Sequence, residues 1–299
     1  MVGREGSSAS AAGTGGERRK VTPARVLGAK KTGRKLILVS AYDYPMARWA
    51  DLAGVDMVFV SDAFGTVGLG RENSLSVTVD ELVYHTRAVK AGAGQCLVLS
   101  SLPFMSYHKL DEAVTNAGRL LKEGGAEAIE IEGCRGIEET VAALVRVGIP
   151  TVGHIGLTRK TVSRLGSFRV QGRDAESALA IIQDALTLST AGVFALILEC
   201  IPDRLAQIIT SLVDVPTIGF GAGVHCDGQG LISQDMLGLY DKFCPRFVKQ
   251  FAHLSETTVE AFRTFAGEVQ AGSFPGPEHS FTMEDQVLQE LLSRVGRTP

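Results

Sequence analysis

From residue 35 onward, short apolar runs rich in β-branched residues alternate with longer stretches whose apolar positions recur at helical spacing. The short runs fall at 36–41, 57–61, 96–100, 128–132, 151–154, 194–199, 217–219 and 230–233. The longer ones fall at 45–53, 79–92, 110–123, 137–147, 175–190 and 203–212. The short runs are apolar throughout rather than alternating, the pattern of parallel strands covered on both faces. Glycines at 54, 92, 124, 148 and 192 follow the helical stretches, where a left-handed cap suits them, and Pro150 and Pro216 precede strands. Eight strands with intervening helices predict an α/β fold, a (β/α)8 TIM barrel with additional C-terminal helices. The last two strands are the weakest and no helix is predicted between them. A doubly wound open sheet is the alternative. Amphipathic helices are expected at 255–270 and 284–294. The predicted organisation is a disordered tail over 1–21, the barrel with its C-terminal helices over 22–283, and an extension over 284–299.

Composition narrows the function classes. The net charge of -3 offers no basic field for nucleic acid or for an anionic membrane surface. No apolar run reaches membrane-spanning length, and the first twenty residues, rich in Gly, Ser and Ala, lack the apolar core of a signal peptide. The five cysteines, an odd number, form no CxxC pair, so they read as reduced thiols of a cytoplasmic protein, most simply as small buried hydrophobes.

Candidate chemistry sits at the strand ends. Asp62 follows MVFVS, Ser101 follows CLVLS, Glu132 closes AIEIE, His154 closes TVGH and Glu199 closes ALILE. One polar residue per βα unit at the C-terminal end of its strand is the layout of a barrel active site. Each also has a plainer account: Asp62 as a turn residue, Glu199 as a mouth acid paired with Arg or Lys, His154 as a hydrogen-bonded core histidine. Strand alternation could aim Glu130 away from the pocket, but Glu130 and Glu132 are two apart and share one face. The glycine run 219–223 lacks the spacing of a dinucleotide fingerprint and reads as pocket wall.

The stretches SAYDYPMARWADLAGVD (40–56), VTVDELVYHTRAV (77–89), LPFMSY (102–107), GHIGLT (153–158), VQGR (170–173), LECIP (198–202), IGFGAG (218–223), CDGQ (226–229), DMLG (235–238) and FPGPEHSF (274–281) together resemble the ketopantoate hydroxymethyltransferase family, of the phosphoenolpyruvate mutase/isocitrate lyase barrel superfamily. They run in family order over roughly 22–281. The resemblance implies an enzyme in which Mg2+ chelates the carboxylate and keto oxygens of 3-methyl-2-oxobutanoate. A general base forms the enolate, and methylenetetrahydrofolate supplies a one-carbon unit. It also implies a homo-oligomer, typically a decamer, acting on a small molecule.

Carried over by position, the resemblance makes Glu199 the proton acceptor. It puts Asp62 and Glu132 at the metal, with Ser101 there as a weak or water-mediated ligand, and Asp62, Ala63, Ser101, Glu130 and His154 at the substrate. The family pattern V-G-D-S reads Val60-Ser61-Asp62-Ala63 here, so a substrate-touching hydroxyl is lost at Ala63. A-D-(L/M)-P-F reads Ser100-Ser101-Leu102-Pro103-Phe104, so Ser101 replaces a metal-ligand aspartate. V-K-(I/L)-E-G reads Ile129-Glu130-Ile131-Glu132-Gly133, so Glu130 replaces a substrate-binding lysine. A glutamate there repels the negative charge of a 2-oxo acid. These departures lead to the expectation of a diverged enzyme that forms a C–C bond through an enolate on a different acceptor, with a weakened metal site unless Glu130 turns inward. The authentic enzyme of pantothenate biosynthesis, a C–C lyase of the same superfamily and a non-catalytic binding paralogue are the alternatives.

Overall fold

Each predicted short run becomes a parallel strand, and the strands close on themselves. The structure, a computed structural model, describes residues 18–158 and 169–296. Among these, β1 (Leu36–Ser40), β2 (Met57–Val60), β3 (Leu97–Ser101), β4 (Ala128–Glu132), β5 (Thr151–Gly156), β6 (Ala195–Glu199), β7 (Thr217–Phe220) and β8 (Gly228–Leu231) pair in sequence order. The barrel closes where Leu36 to Val39 of β1 meet Gly228 to Leu231 of β8. The open doubly wound sheet is thereby excluded.

Helices cover the outside: α1 (Pro23–Thr32), α2 (Tyr44–Leu52), the short α3 (Phe64–Val67), α4 (Val79–Gly92), α5 (Leu110–Lys122), α6 (Glu138–Arg146), α7 (Ala175–Ala191) and α8 (Asp203–Leu212). Their starts follow local chemistry. Thr78 and Glu81 form a reciprocal capping box on α4, Asp174 and Ser177 do the same for α7, and the Asp43 side chain caps α2. β7 runs into β8 through residues 221–227 without a helix. Beyond the barrel lie α9 (Ser233–Met236), α10 (Leu254–Ala271) and α11 (Asp285–Arg294). Among the described residues, neither α10 nor α11 buries a side chain.

Strand alternation sorts the core into two compartments. Met57, Phe59, Leu97, Leu99, Ala128, Val152, Ala195, Ile197, Ile218 and Phe220 fill the barrel interior. Their neighbours Val58, Val60, Val98, Ile129, Ile131, Leu196 and Leu198 pack outward against the helices. The same parity sends Ser61, Ser101, Glu130, Glu132, His154 and Glu199 inward, above the apolar interior, at the C-terminal mouth.

Three sequence expectations are corrected. The eighth strand lies two residues earlier than 230–233. Its glycines disguise it: a Cβ on Gly230 would sit 2.1 Å from the Phe220 ring, which takes that space in the barrel. Gly92 is not a left-handed cap. It ends α4 against α2, where a Cβ would come 2.5 Å from the Tyr44 carbonyl, so its smallness serves helix packing. Beside Gly124 it is Gly125 that adopts positive φ. The expected tail over 1–21 falls mostly outside the described residues. Its final part is anchored: the Val21 N–H donates to the Gln95 carbonyl, Val21 is buried, and Lys20 bonds the Cys96 carbonyl and Glu127.

Candidate active site

The mouth of the barrel holds a cleft of about 310 Å³ of empty space. Asp62, Ser101, Glu130, Glu132, His154 and Glu199 all line it, so strand ends far apart in sequence meet in one site. All six are nearly inaccessible to solvent, Glu130 most of all at 1%. Phe59, Phe220 and Ile232 supply the apolar wall, and Ser61 joins the polar one. Ser61 was missed in the sequence, although parity with Phe59 places it inside. Its hydroxyl lies 3.0 Å from the buried Tyr42 phenol. Ala63 is not brought into the cleft: it packs with the barrel-interior core as the residue before α3.

One imidazole ties the acids together. His154 Nδ1 lies 3.0 Å from Glu130 Oε1 and 3.7 Å from Glu132 Oε1, and Nε2 lies 3.1 Å from Glu199 Oε2. Nε2 is close to Glu199 but not aligned for a hydrogen bond, so that contact is electrostatic in character. Both ring nitrogens face carboxylates, an arrangement that suits the doubly protonated imidazolium. Burial pulls the His154 pKa down, but Glu130, Glu199 and Glu132 outweigh it and push the value up to about 10. Among the described residues no Lys or Arg lines the cleft.

Glu130 is turned inward. Ser101 and Glu130 are register partners on β3 and β4, and Ser101 Oγ donates to Glu130 Oε2 at 2.5 Å. Asp62 Oδ2 accepts from Ser74 Oγ at 3.2 Å. Ligand atoms of Glu130, Glu132 and His154 lie within 4.8 Å of one another. Asp62 lines the same cleft outside that group. The donor set is mainly buried carboxylate oxygen, the chemistry a hard divalent cation such as Mg2+ prefers, so the residues present fit the metal.

A sequence model described as ketopantoate hydroxymethyltransferase matches residues 20–277. The chain belongs to this family. It is 47% identical over 263 residues to the 3-methyl-2-oxobutanoate hydroxymethyltransferase of Clostridium botulinum (strain Alaska E43 / Type E3), covering 88% of this chain and 96% of that protein. With the protein of the same name from Moorella thermoacetica it shares 49% over 266 residues, covering 89% and 99%. Among solved structures it is similar to 2,3-dimethylmalate lyase, a PEP mutase/isocitrate lyase superfamily member, with a TM-score of 0.56, 14% identity and coverage of 92% and 95%. It is also similar to phosphonopyruvate hydrolase, solved with oxalate and Mg2+, with a TM-score of 0.58, 10% identity and coverage of 92% and 96%. At such low identity these two structures support the fold alone. For a hydroxymethyltransferase-family barrel, the strand-end cleft lies where barrel enzymes place their chemistry. No helix among the described residues is long and apolar enough to cross a membrane.

Proposed function

We propose that this protein is a 3-methyl-2-oxobutanoate hydroxymethyltransferase. The observation that carries the reading is the near-full-length identity of 47–49% to proteins of that name, together with an inward-facing Glu199 in the shared cleft. The different acceptor expected from Ser101 and Glu130 has less support, since the relatives at 47–49% identity carry the name of the keto-acid enzyme.

In this reading Glu199 accepts the proton from the substrate carbon next to the keto group. That carbon then bonds the methylene unit of methylenetetrahydrofolate, water supplies the hydroxyl, and the C–N bond to the folate breaks as tetrahydrofolate leaves with a proton. His154 holds the Glu199 carboxylate from 3.1 Å, and Phe59, Phe220 and Ile232 shield the reacting carbon from bulk water. Glu130 and Glu132 would hold Mg2+, with Asp62 beside them; when bound, it polarises the keto acid and eases loss of the proton. Among the described residues, His154 brings positive charge to Glu130 and Glu199.

The exposed side chains of α10 and α11, including Phe262, Phe265, Val287 and Leu291, support a homo-oligomer, tested by light scattering of the full chain. The five free cysteines suit a reducing cytoplasm.

Incubation with 3-methyl-2-oxobutanoate, methylenetetrahydrofolate and Mg2+ is expected to give ketopantoate. A second reading, transfer to a neutral or amine-bearing acceptor, is favoured by Glu130 alone. It would gain if the keto acid gave no product while the enzyme exchanged the α-proton of such an acceptor with deuterium.

A further inference from the structure

We infer that the loop over 240–251, between α9 and α10, binds the folate co-substrate, with its aromatic residues against the ring systems and its cations against the glutamate tail. The inference rests on the hydroxymethyltransferase reading of the cleft, which names that co-substrate but not its place. The loop reads YDKFCPRFVKQF and interleaves two residue types: Lys242, Arg246 and Lys249 stand among Phe243, Phe247 and Phe251. Phe243 and Phe251 are 63% and 62% exposed, and Phe247 is 39% exposed. Exposed rings on a loop beside a cleft mark a binding surface rather than a core. Lys249 Nζ lies 5.0 Å from the centroid of the Phe251 ring, so cation and ring are presented together.

The fold ties this loop to the rim of the cleft. Its base closes on α9, where the Tyr240 N–H donates to the Gln234 carbonyl at 3.1 Å and the Phe251 N–H to the Met236 carbonyl at 2.8 Å. That helix follows Ile232 of the cleft wall and is held to β1 by the Ser233 N–H, which donates to Ser40 Oγ at 2.8 Å. On one flank the Phe247 ring fills the space beside Gly221, where a Cβ would come within 2.6 Å of it. Gly221 directly follows Phe220, which lines the cleft from β7. On the other flank Lys242 Nζ donates to the Gly70 carbonyl at 3.2 Å, in the segment that leads from β2 and α3 to α4. The loop thus spans the rim from β7 across β8 and β1 to β2.

This division of the mouth separates the two reactants. Ser101, Glu130, Glu132, His154 and Glu199 belong to β3–β6, whereas Phe59, Phe220 and Ile232 lie on the side that the loop spans. The first half suits the keto acid and the second a flat ring system. A cleft of about 310 Å³ is at the low end of what encloses one drug-sized ligand. It cannot enclose the keto acid together with a pterin and its aminobenzoyl-glutamate tail, so the tail must cross the rim. Among the described residues, the rim beyond β3 and β4 carries Glu138 and Glu139, which repel a carboxylate tail. The rim over β8 carries Lys242, Arg246 and Lys249, which attract it.

The test compares tetrahydrofolate carrying one glutamate with the form carrying three, by calorimetry on the full chain. Wild type is expected to bind the longer tail about tenfold more tightly, and the advantage should shrink as salt is raised. The triple variant K242E/R246E/K249E is expected to lose that advantage. The double variant F243A/F247A is expected to weaken both forms by about tenfold, since ring stacking does not depend on tail length. Circular dichroism and light scattering check folding and assembly. If the triple variant does not fold, Arg246→Gln and the wild-type salt series carry the test, each expected to reduce the preference for the longer tail. Equal binding of the two forms by wild type, or a preference that survives in the triple variant, overturns the inference. So does a triple variant that changes assembly while keeping wild-type folate affinity, which would make the loop a contact between copies. Loop-dependent tetrahydrofolate binding without ketopantoate formation leaves the inference standing and defeats the functional reading; ketopantoate formation with folate affinity untouched by the loop variants does the opposite.

Discussion

The two ends of this barrel use acidic residues in opposite ways. At the N-terminal end each acid meets a dedicated cation. Asp56 pairs with Arg34 and accepts the Ile37 N–H at 3.0 Å. Glu127 sits between Lys20 at 2.7 Å and Lys90 at 3.0 Å, and Asp227 is 3.0 Å from Lys30. These pairs also stitch the chain ends of the strands, since Glu127 accepts the Val98 N–H and Asp227 the Thr217 N–H. At the C-terminal end Asp62, Glu130, Glu132 and Glu199 crowd one cleft, with one imidazole among the described residues. The first arrangement satisfies charge within the fold. The second gathers acids from several strand ends around one partly apolar cleft. The difference teaches that convergence of acids from separate strands on one cleft, more than the number of acids, separates the structural end of the barrel from the chemical one.

The sharpest way to break this contrast is to neutralise one acid at each end. Glu199→Gln keeps the shape of the cleft but removes the proton acceptor, and is expected to lower kcat by about 10²–10⁴-fold. Its thermal midpoint should stay close to wild type. A variant with normal turnover would mean that Glu199 is not the base. Asp56→Ala should show the reverse profile. It removes the buried partner of the half-exposed Arg34 and the acceptor of the Ile37 N–H, so unfolding in urea is expected to register a loss of about 2 kcal/mol. The folded fraction should turn over at the wild-type rate. Equal losses of activity and stability in both variants would dissolve the distinction between the two ends.

Much of this was legible in the sequence because the barrel is built on a period of two. Once 128–132 is a strand, Glu130 and Glu132 must face the same way, and both do face the cleft. The positions of Asp62, Ser101, His154 and Glu199 followed from strand ends in the same manner. What stayed hidden depends on contacts between elements. The direction of the Glu130 carboxylate is set by Ser101 on the neighbouring strand, a partner 29 residues away. β8 was misplaced because its two glycines answer to Leu36 and Phe220 rather than to any local propensity. The helix α1 was overlooked although Thr22, Pro23 and Gly33 mark its ends; it buries only Val26 and Ala29, so its apolar signal is faint. Ser61 carried no signal beyond its parity.

Acidity offers a graded form of the same comparison. Burial raises the Glu127 pKa, but Lys20, the Val98 N–H and Lys90 outweigh it and hold the carboxyl below its ordinary value of 4.5. A depressed folded pKa gives stability that is complete above the unfolded value and is lost as pH falls through the folded one. Thermal midpoints of wild type should therefore fall on acidification below about pH 5, and Glu127→Gln should begin about 1 kcal/mol less stable at pH 7 and fall less steeply. A parallel fall in both proteins would remove Glu127 from the account.

The smallest expected effect has the opposite sign. Without metal, Glu132→Gln relieves repulsion among the mouth carboxylates while keeping a side chain of the same shape. It should leave the protein unchanged or raise its stability by about 1 kcal/mol, as is common where a functional site carries unfavourable charge. In saturating Mg2+ the order should reverse, because wild type gains from the bound ion and the variant gains less. Urea unfolding of the two proteins with and without Mg2+ reads both signs in one experiment. If Glu132→Gln destabilises the metal-free protein as Asp56→Ala does, the mouth acids are satisfied within the fold after all, and the two ends of the barrel differ only in position.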